Sequence, residues 1–285
     1  MANQRDIKRR IRSVTSTQQI TKAMKMVAAA KLRRTQEAVI ATRPFTSKLN
    51  EVLSRIVASA KDNLEHPLLE VRTVKKVGFV VVSADRGLSG GYNANIIKQA
   101  LQSFNEHKDV EYGIVTIGNK ANSFLKKRDY PIEEEFASVS DVPTLEEAIN
   151  ITNKVKDFYL NGVYDEVYMV YTKFITAMQH KPQTIKLLPI EPPQGVQLDE
   201  RDYIFEPTPQ EVMGRLLPMY LQNQVLGMLM EAKASEHGAT MTAMDSASNN
   251  ASEMIADLTL WYNRARQAAI TNEISEIVGG ANALS

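Results

Sequence analysis

The sequence predicts an α/β protein in which a long antiparallel coiled coil, formed by the N- and C-terminal helices, carries a small inserted Rossmann-like α/β domain. Three observations support this prediction. Residues 2–55 contain no glycine and a single proline, and residues 219–278 contain no proline and only two glycines. Between these stretches, β-rich runs alternate with helical ones. Both ends can therefore form long helices, and the middle can form a mixed domain.

The N-terminal helix is predicted to cover residues 1–57. Its apolar residues form two short seams that are out of phase, with the polar residues 16–19 between them, which is typical of a coiled coil with a stutter. The seams consist of Ile7, Ile11 and Val14, followed by Ile20, Met24 and Val27. Pro44 is expected to bend or interrupt the helix, because proline lacks the amide donor and its ring clashes with the preceding turn.

The inserted domain is predicted to cover residues 75–207. Four runs favour strands: Val77–Ser83, Ile114–Ile117, Glu166–Tyr171 and Thr184–Leu188. Three runs favour helices: Asn93–Asn105, Ala121–Lys127 and Leu145–Asn161. Such alternation indicates a largely parallel sheet. The acidic run 133–135 is interpreted as a solvated loop, and the proline-rich stretch 189–209 as a loop or edge region.

The C-terminal helix is predicted to cover residues 208–285. A heptad pattern indicates a coiled-coil seam, and its alanines allow a partner helix to approach closely. The seam is Met244, Ala247, Ala251, Met254, Leu258, Trp261, Ala265 and Ala268. The partner is predicted to be the N-terminal helix, because the C-terminal helix is acidic and the N-terminal one is basic.

The net charge of +1 conceals a strong asymmetry along the chain. Residues 1–48 hold twelve Lys and Arg against two acidic residues, a charge of +10, which leaves −9 on the remainder. A basic segment of this density implies an anionic partner, which can be a nucleic acid, an anionic membrane or an acidic protein surface.

No catalytic, cofactor-binding or metal-binding residues are predicted. The chain has no cysteine, which excludes disulfides and thiol chemistry. The glycine-rich run Asp85–Gly91 matches neither of the common phosphate-binding patterns and is interpreted as a tight turn. The four histidines are scattered without metal-ligand spacing and are predicted to lie on the surface. The longest apolar run, Val77–Ala84, is too short to span a bilayer, so any membrane association is predicted to be peripheral.

Two segments at opposite ends of the chain resemble one family, the gamma subunits of bacterial F-type ATP synthases. The stretch Thr17–Arg33 (TQQITKAMKMVAAAKLR) is similar to the shaft helix of that family, and Ile270–Ala283 (ITNEISEIVGGANA) is similar to its C-terminal signature. Asp85–Gly91 lies between them in the expected order. Ser89 departs from the pattern, since many relatives carry cysteine there.

The resemblance implies a non-catalytic central rotor shaft, present once per complex, that couples proton translocation to ATP synthesis. It would turn inside a ring of three alpha and three beta subunits and be peripheral to the cytoplasmic face of the cell membrane. By position, the residues expected to face the acidic lever and catch loops of the beta subunits are Met24, Lys25, Arg266, Gln267 and Thr271. The residues expected to lie near the epsilon subunit and the c-ring are Tyr203, Phe205 and Glu206.

Two other functions remain as alternatives. A coiled-coil RNA-binding protein would use the basic N-terminal arm, but it would also require aromatic residues between the basic ones. Phe45 is the only aromatic residue among the first 48. A nucleotide-dependent enzyme built on the central domain would require a phosphate-binding fingerprint and an acid–base pair, and neither is recognisable.

Overall fold

The computed structural model describes residues 4–59, 66–137, 139–191, 206 and 208–284. Two long helices, α1 (Gln4–Ser59) and α5 (Pro209–Leu284), flank a sheet domain. The elements between them are, in chain order, β1 (Lys76–Val82), α2 (Tyr92–Glu106), β2 (Glu111–Ile117), α3 (Asn119–Lys126), β3 (Ile132–Phe136), α4 (Leu145–Leu160), β4 (Glu166–Phe174) and β5 (His180–Leu188).

The chain divides into two compact units. The first, here the helical-pair unit, comprises Met1–Val27 and Met241–Ser285. The second, here the sheet unit, comprises Ala28–Thr240 and contains the whole β-sheet.

The sheet has five strands in the order β3-β2-β1-β4-β5. All neighbouring pairs are parallel except β4 and β5, which form an antiparallel hairpin. The largely parallel sheet that the sequence predicts is therefore confirmed, and each predicted strand and helix of the domain corresponds to an observed one.

Helices cover both faces of this sheet, because the side chains of each buried strand alternate between the faces. In β1, Phe79 and Val81 pack into a cluster that includes residues of α2 and α3. Val80 and Val82 of the same strand pack into a larger cluster that includes residues of α1, α4 and α5. The long helices thus contribute directly to the larger of these two hydrophobic clusters.

The acidic run 133–135 forms part of edge strand β3, so its interpretation as a loop is wrong. Each glutamate pairs with a lysine from a different element, as Glu133 does with Lys76 at 2.8 Å and Glu134 with Lys154 at 2.8 Å. Such pairing neutralises the charge, and charged side chains are usual on edge strands. The three consecutive acids hide the alternation by which a strand is normally recognised.

The stutter predicted in α1 is also wrong. A line of buried or half-buried positions runs along α1 at an alternating spacing of four and three. In the helical-pair unit it comprises Ile7, Ile11, Val14, Gln18, Thr21 and Lys25, with Gln4, Thr15 and Met24 half-buried beside it. In the sheet unit the same spacing continues at Ala28, Leu32, Thr35, Val39, Thr42, Thr46, Leu49, Leu53 and Ile56. Ile20 and Val27 are exposed. The seam therefore keeps one phase along the helix. Apolar patterning missed this because polar residues occupy several of the seam positions.

The seam predicted in α5 is wrong at Met254, Trp261 and Ala268, which are exposed, whereas Leu258 and Ala265 are partly buried as predicted. Met254 and Trp261 are 55% and 62% exposed. Ile255 and Tyr262 are partly buried instead, in phase with buried Ala251. Apolar residues are adjacent at both places, so spacing alone allowed either choice.

Pro44 does not interrupt α1, so of the two predicted effects, a bend or an interruption, the interruption is wrong. The helix is continuous through this residue, which lies on its exposed side. The carbonyl that loses its donor is that of Ile40, whose side chain is also exposed. Water can therefore take the place of the missing amide, which lowers the cost of proline inside a helix.

Candidate partner-contact surfaces

The helical-pair unit is held together by polar contacts across the seam. The Gln18 amide donates to the Ser252 hydroxyl at 2.6 Å, and Lys25 Nζ lies 2.6 Å from Asp245 Oδ1. Moving seven residues forward in α1 moves the partner seven residues backward in α5. The two helices are therefore antiparallel, as the charge complementarity of the ends predicts.

Met24 and Lys25 lie at the edge of this pair. Met24 is half-buried, while Met26, two residues later, is exposed. About 42% of the Lys25 side chain and 47% of the Asp245 side chain remain accessible. An exposed ion pair contributes little to stability because water screens it. Both charges are thus available to an outside partner.

The far end of α5 presents an apolar stripe to solvent. Ile270, Ile274, Ile277 and Val278 are all exposed. The described residues 266–281, here the tip segment, are exposed throughout. Isoleucine and valine at helical spacing on a surface that no described residue covers are typical of a face buried by a partner.

Arg266, Gln267 and Thr271 flank this stripe. All three are exposed. The Thr271 hydroxyl donates to the Gln267 carbonyl at 2.9 Å, one turn back in the same helix. The structure thus places three of the predicted contact residues together on the tip segment, with Met24 and Lys25 elsewhere in the same unit. Of the predicted residues near the membrane, Glu206 is exposed, and Tyr203 and Phe205 lie outside the described residues.

The carboxyl edge of the parallel strands, where α/β folds usually bind ligands, is occupied by helix α5. Tyr92, after β1, donates its hydroxyl to the Ala232 carbonyl at 3.2 Å. Ser235 donates to the carbonyl of Thr172 in β4 at 3.1 Å. These contacts lie on either side of the point between β1 and β4 where the strand order reverses. Residues of the chain itself therefore fill the position of a ligand.

The glycine-rich turn between β1 and α2 is fastened to the same helix. Lys233 Nζ lies 3.1 Å from Glu236 Oε2 and 3.7 Å from Asp85 Oδ2. Leu88 and Gly90 have φ angles of 67° and 55°, the left-handed conformation expected of a tight turn. The side chain of Lys233 thus approaches the carboxylate of Asp85 at the start of this turn.

The turn between β3 and α4 binds both long helices through Asp141. Its carboxylate accepts from Lys31 of α1, with Nζ 3.0 Å from Oδ1. Its carbonyl accepts from the Thr35 hydroxyl at 3.1 Å and lies 3.2 Å from His237 Nε2. His237 is 5% exposed, so its predicted surface position is wrong. No sequence pattern pointed to Asp141, because its contacts come from residues about a hundred positions away in either direction.

Burial governs the titration of His237. It lowers the pKa of the imidazole below its ordinary value, although the Asp141 carbonyl and the carboxylates of Glu236 and Asp141 act in the opposite direction. The ring is therefore neutral near pH 7 and donates to Asp141 from Nε2. Across the described ranges, no cluster of three potential metal ligands occurs and no helix is long and apolar enough to cross a membrane.

Comparison with known proteins assigns the chain to a family over almost its whole length. The family model described as "ATP synthase" matches residues 3–284. The ATP synthase gamma chain of Heliobacterium modesticaldum is 50% identical over 292 residues, and that of Desulforamulus reducens is 51% identical over 289, each covering all of both chains.

Solved structures show the same fold. A chain of the Euglena gracilis mitochondrial ATP synthase, from a structure of the OSCP, F1 and c-ring, superposes with a TM-score of 0.68 at 18% identity, covering 99% of this chain and 94% of its own. A chain from the central stalk and c-ring of the Tetrahymena thermophila mitochondrial enzyme gives a TM-score of 0.61 at 23% identity, covering 80% of this chain and 99% of its own. The chain belongs to the ATP synthase gamma chain family.

Proposed function

We propose that the chain is the central rotor shaft of an F1Fo ATP synthase. In this role it turns inside a ring of three alpha and three beta subunits and couples proton translocation through Fo to ATP chemistry on the beta subunits. It is itself non-catalytic and occurs once per complex. The full-length similarity to gamma chains supports this proposal, and it disfavours the RNA-binding alternative.

The observation that carries the proposal is the tip segment. Its apolar stripe, which includes Ile270, Ile274 and Ile277, is covered by no described residue. An isolated protein would gain stability by burying these side chains, at about 25 cal/mol per Å² of apolar surface. Insertion of the tip segment into a sleeve of partner subunits provides that burial.

The shaft acts through unequal contacts. A single asymmetric shaft inside a three-fold ring touches each beta subunit differently, so each catalytic site is biased towards a different conformation. A contact can shift such an equilibrium only by the difference in its energy between the two states. The half-buried Lys25 and the exposed Gln267 and Thr271 are suited to this task, because hydrogen bonds are lost when geometry changes.

The sheet unit is proposed to face the membrane. Tyr203, Phe205 and Glu206 would contact the epsilon subunit and the c-ring, holding the chain peripherally at the cytoplasmic face of the cell membrane. Equal solvent accessibility of Tyr203 and Phe205 in the free chain and in the assembled complex would argue against this placement. Covalent labelling of tyrosine followed by mass spectrometry measures that accessibility.

Co-purification tests the proposal as a whole. When the chain is expressed with the other subunits of its complex and isolated through a tag on beta, one copy is expected with three alpha and three beta subunits. Native mass spectrometry measures this ratio. A chain that purifies apart from alpha and beta, or that carries bound RNA instead, would refute the proposed function.

Gln267 and Thr271 are expected to distinguish rotor positions. Replacing them together, Gln267→Leu with Thr271→Val, should leave assembly intact and slow ATP turnover, since each lost hydrogen bond costs about 1–3 kcal/mol in the state where it forms. Thr259→Val with Asn263→Leu is the matched control, because this exposed pair has the same spacing about two turns earlier in α5. Steady-state hydrolysis by the assembled complex is the measurement, and turnover equal to that of the control would show that Gln267 and Thr271 make no such contact.

A further inference from the structure

The turn that joins β3 to α4 is bonded to both long helices at one residue. The carboxylate of Asp141 accepts a hydrogen bond from Lys31 of α1, and its carbonyl accepts from Thr35 of α1 and His237 of α5. All four residues belong to the sheet unit. A single loop residue thus ties the β-sheet to two helices that are far apart in the sequence.

The two halves of Asp141 differ in their surroundings. Its carboxylate and the Lys31 ammonium remain 54% and 38% accessible, so water weakens their attraction. The carbonyl contacts are shielded, because Thr35 is fully buried and His237 almost so. Hydrogen bonds away from water resist exchange with solvent. The single hydroxyl hydrogen of Thr35 is shared between the Asp141 carbonyl at 3.1 Å and the Lys31 carbonyl at 3.0 Å. The carbonyl is therefore the anchor, and the carboxylate orients the turn above Lys31.

The anchoring is consistent with the charge state of Asp141. Burial alone would raise the pKa of its carboxyl group, but the hydrogen bond and charge of Lys31 outweigh burial, so this pKa lies below its ordinary value. The carboxylate is ionised at neutral pH and can hold Lys31 with both oxygens, at 3.0 and 2.9 Å. Two oxygens on one ammonium restrict rotation of the turn about its carbonyl anchor.

We propose that Asp141 is a positioning residue that transmits torque between the β-sheet and the two shaft helices. This inference rests on the proposed rotor function and adds the point through which the sheet drives the shaft. Torque applied to the sheet also passes to α1 through apolar packing, which resists sliding less directionally than hydrogen bonds do. With Asp141 in place, α1 and α5 are turned together.

Torsional stiffness is the quantity to measure, because a role in folding alone would leave it unchanged. The chain has no cysteine, so Lys108→Cys and Lys127→Cys, both at exposed positions of the sheet unit, allow a bead to be attached there. In the immobilised complex of three alpha, three beta and one gamma subunit, the angular variance of the bead during the pause before ATP binding is inversely related to stiffness. Each variant below is compared with the same labelled parent.

Thr35→Val with Asp141→Asn is expected to increase the angular variance above the parent value, because it removes the hydrogen bond of Thr35 and weakens the ion pair of Lys31, two polar connections between this turn and α1. Asp141→Asn alone should give a smaller increase, and the charge exchange Lys31→Asp with Asp141→Lys should restore the parent value. Glu135→Gln, which breaks the exposed pair with Lys126 in the same domain, is the matched control and should change nothing.

Each outcome has one interpretation. A variance in the Thr35→Val, Asp141→Asn chain equal to that of the Glu135→Gln control overturns the inference while the rotor function stands. If that double variant does not assemble, the charge-exchange variant, Lys31→Asp with Asp141→Lys, is the test. An angular variance in that variant as large as in Asp141→Asn alone also overturns the inference. A labelled parent complex that never rotates would instead contradict the proposed function.

Discussion

His237 shows how one buried side chain can determine a response to pH. Its ring is enclosed by residues of α5 and by the turn carrying Asp141, and burial keeps its pKa below the ordinary histidine value. The unfolded chain therefore binds a proton more readily than the folded one between those two pKa values. In that interval the free energy of unfolding must rise with pH.

His237→Asn is expected to flatten this dependence. In the parent chain, stability should be lost as the pH falls below about 6.5, the ordinary histidine value, because protonation then favours the unfolded state. The melting temperature of the isolated chain, measured by circular dichroism between about pH 5 and pH 8, gives the slope. His66 and His180 also have pKa values lowered by burial, so a reduced slope should remain.

His107→Asn is the matched control for this series. The His107 ring lies against Phe79 and Tyr168, away from α5. If His237→Asn and the parent chain lose the same stability between neutral and acidic pH, the buried imidazole is not the group that titrates.

At the scale of single elements, helix α1 shows what apolar patterning can and cannot predict. Its length followed from the absence of breakers, and its partner followed from charge. The position of its seam could not be predicted from apolar residues, because Gln18 and Thr21 occupy inward positions while Ile20 faces solvent. Where a helix pair is joined by hydrogen bonds, hydrophobicity is a poor guide to which side is buried.

The registration of α1 and α5 predicts a specific crosslink. The contacts of Gln18 with Ser252 and of Lys25 with Asp245 place Thr21 beside Ser248. Thr21→Cys with Ser248→Cys should therefore form an intramolecular disulfide under mild oxidation. Two cysteines within the reach of a disulfide close readily when their Cβ atoms face each other. The faster-migrating species on a non-reducing gel measures the yield.

Ile20→Cys with Met254→Cys is the control pair, since both positions are exposed and do not follow this registration. Efficient closure of the control with none at the first pair would mean that the helices are registered differently from the arrangement described.

The sheet domain was more predictable than its attachment to the helices. The β-branched runs of β1, β2 and β4 identify buried parallel strands from local sequence alone. The bond between Asp141 and Thr35 joins residues 106 positions apart, and nothing local marks either of them. The tip residues Gln267 and Thr271 could be chosen because a family resemblance covered their segment. Contacts that depend on tertiary folding require the structure.

For the molecule as a whole, the filled carboxyl edge of the sheet separates the fold from the chemistry it commonly supports. Lys233, Ser235 and Ala232 of α5 bond to the turns and strands that would otherwise surround a nucleotide. A ligand could enter there only by displacing part of the hydrophobic core, which includes Leu229 and Ala232. At the usual ligand-binding site of this fold, the sheet is thus bonded to helix α5 instead of to a ligand.

The isolated chain is accordingly expected neither to bind nor to hydrolyse ATP. Calorimetric titration with MgATP and a phosphate-release assay on the purified chain, freed of beta subunits, measure the two activities. The complex with alpha and beta subunits is the positive control. Saturable binding to the isolated chain that is abolished by Gly87→Ala in the open glycine-rich turn would reveal a nucleotide site there after all.

The unbroken spacing of four and three along α1 also determines the handedness of the supercoil formed by the paired helices. A strict seven-residue repeat is slightly shorter than two turns of a straight helix, so the helices must wrap around each other in a left-handed sense. Torque in one direction tightens such a supercoil and brings its two helices together, and torque in the other direction unwinds it and begins to separate them. The pair that joins Gln18 to Ser252 and Lys25 to Asp245 therefore winds tighter under one sense of rotation. In the proposed rotor, ATP synthesis and ATP hydrolysis turn the shaft in opposite directions and would therefore strain this helix pair unequally.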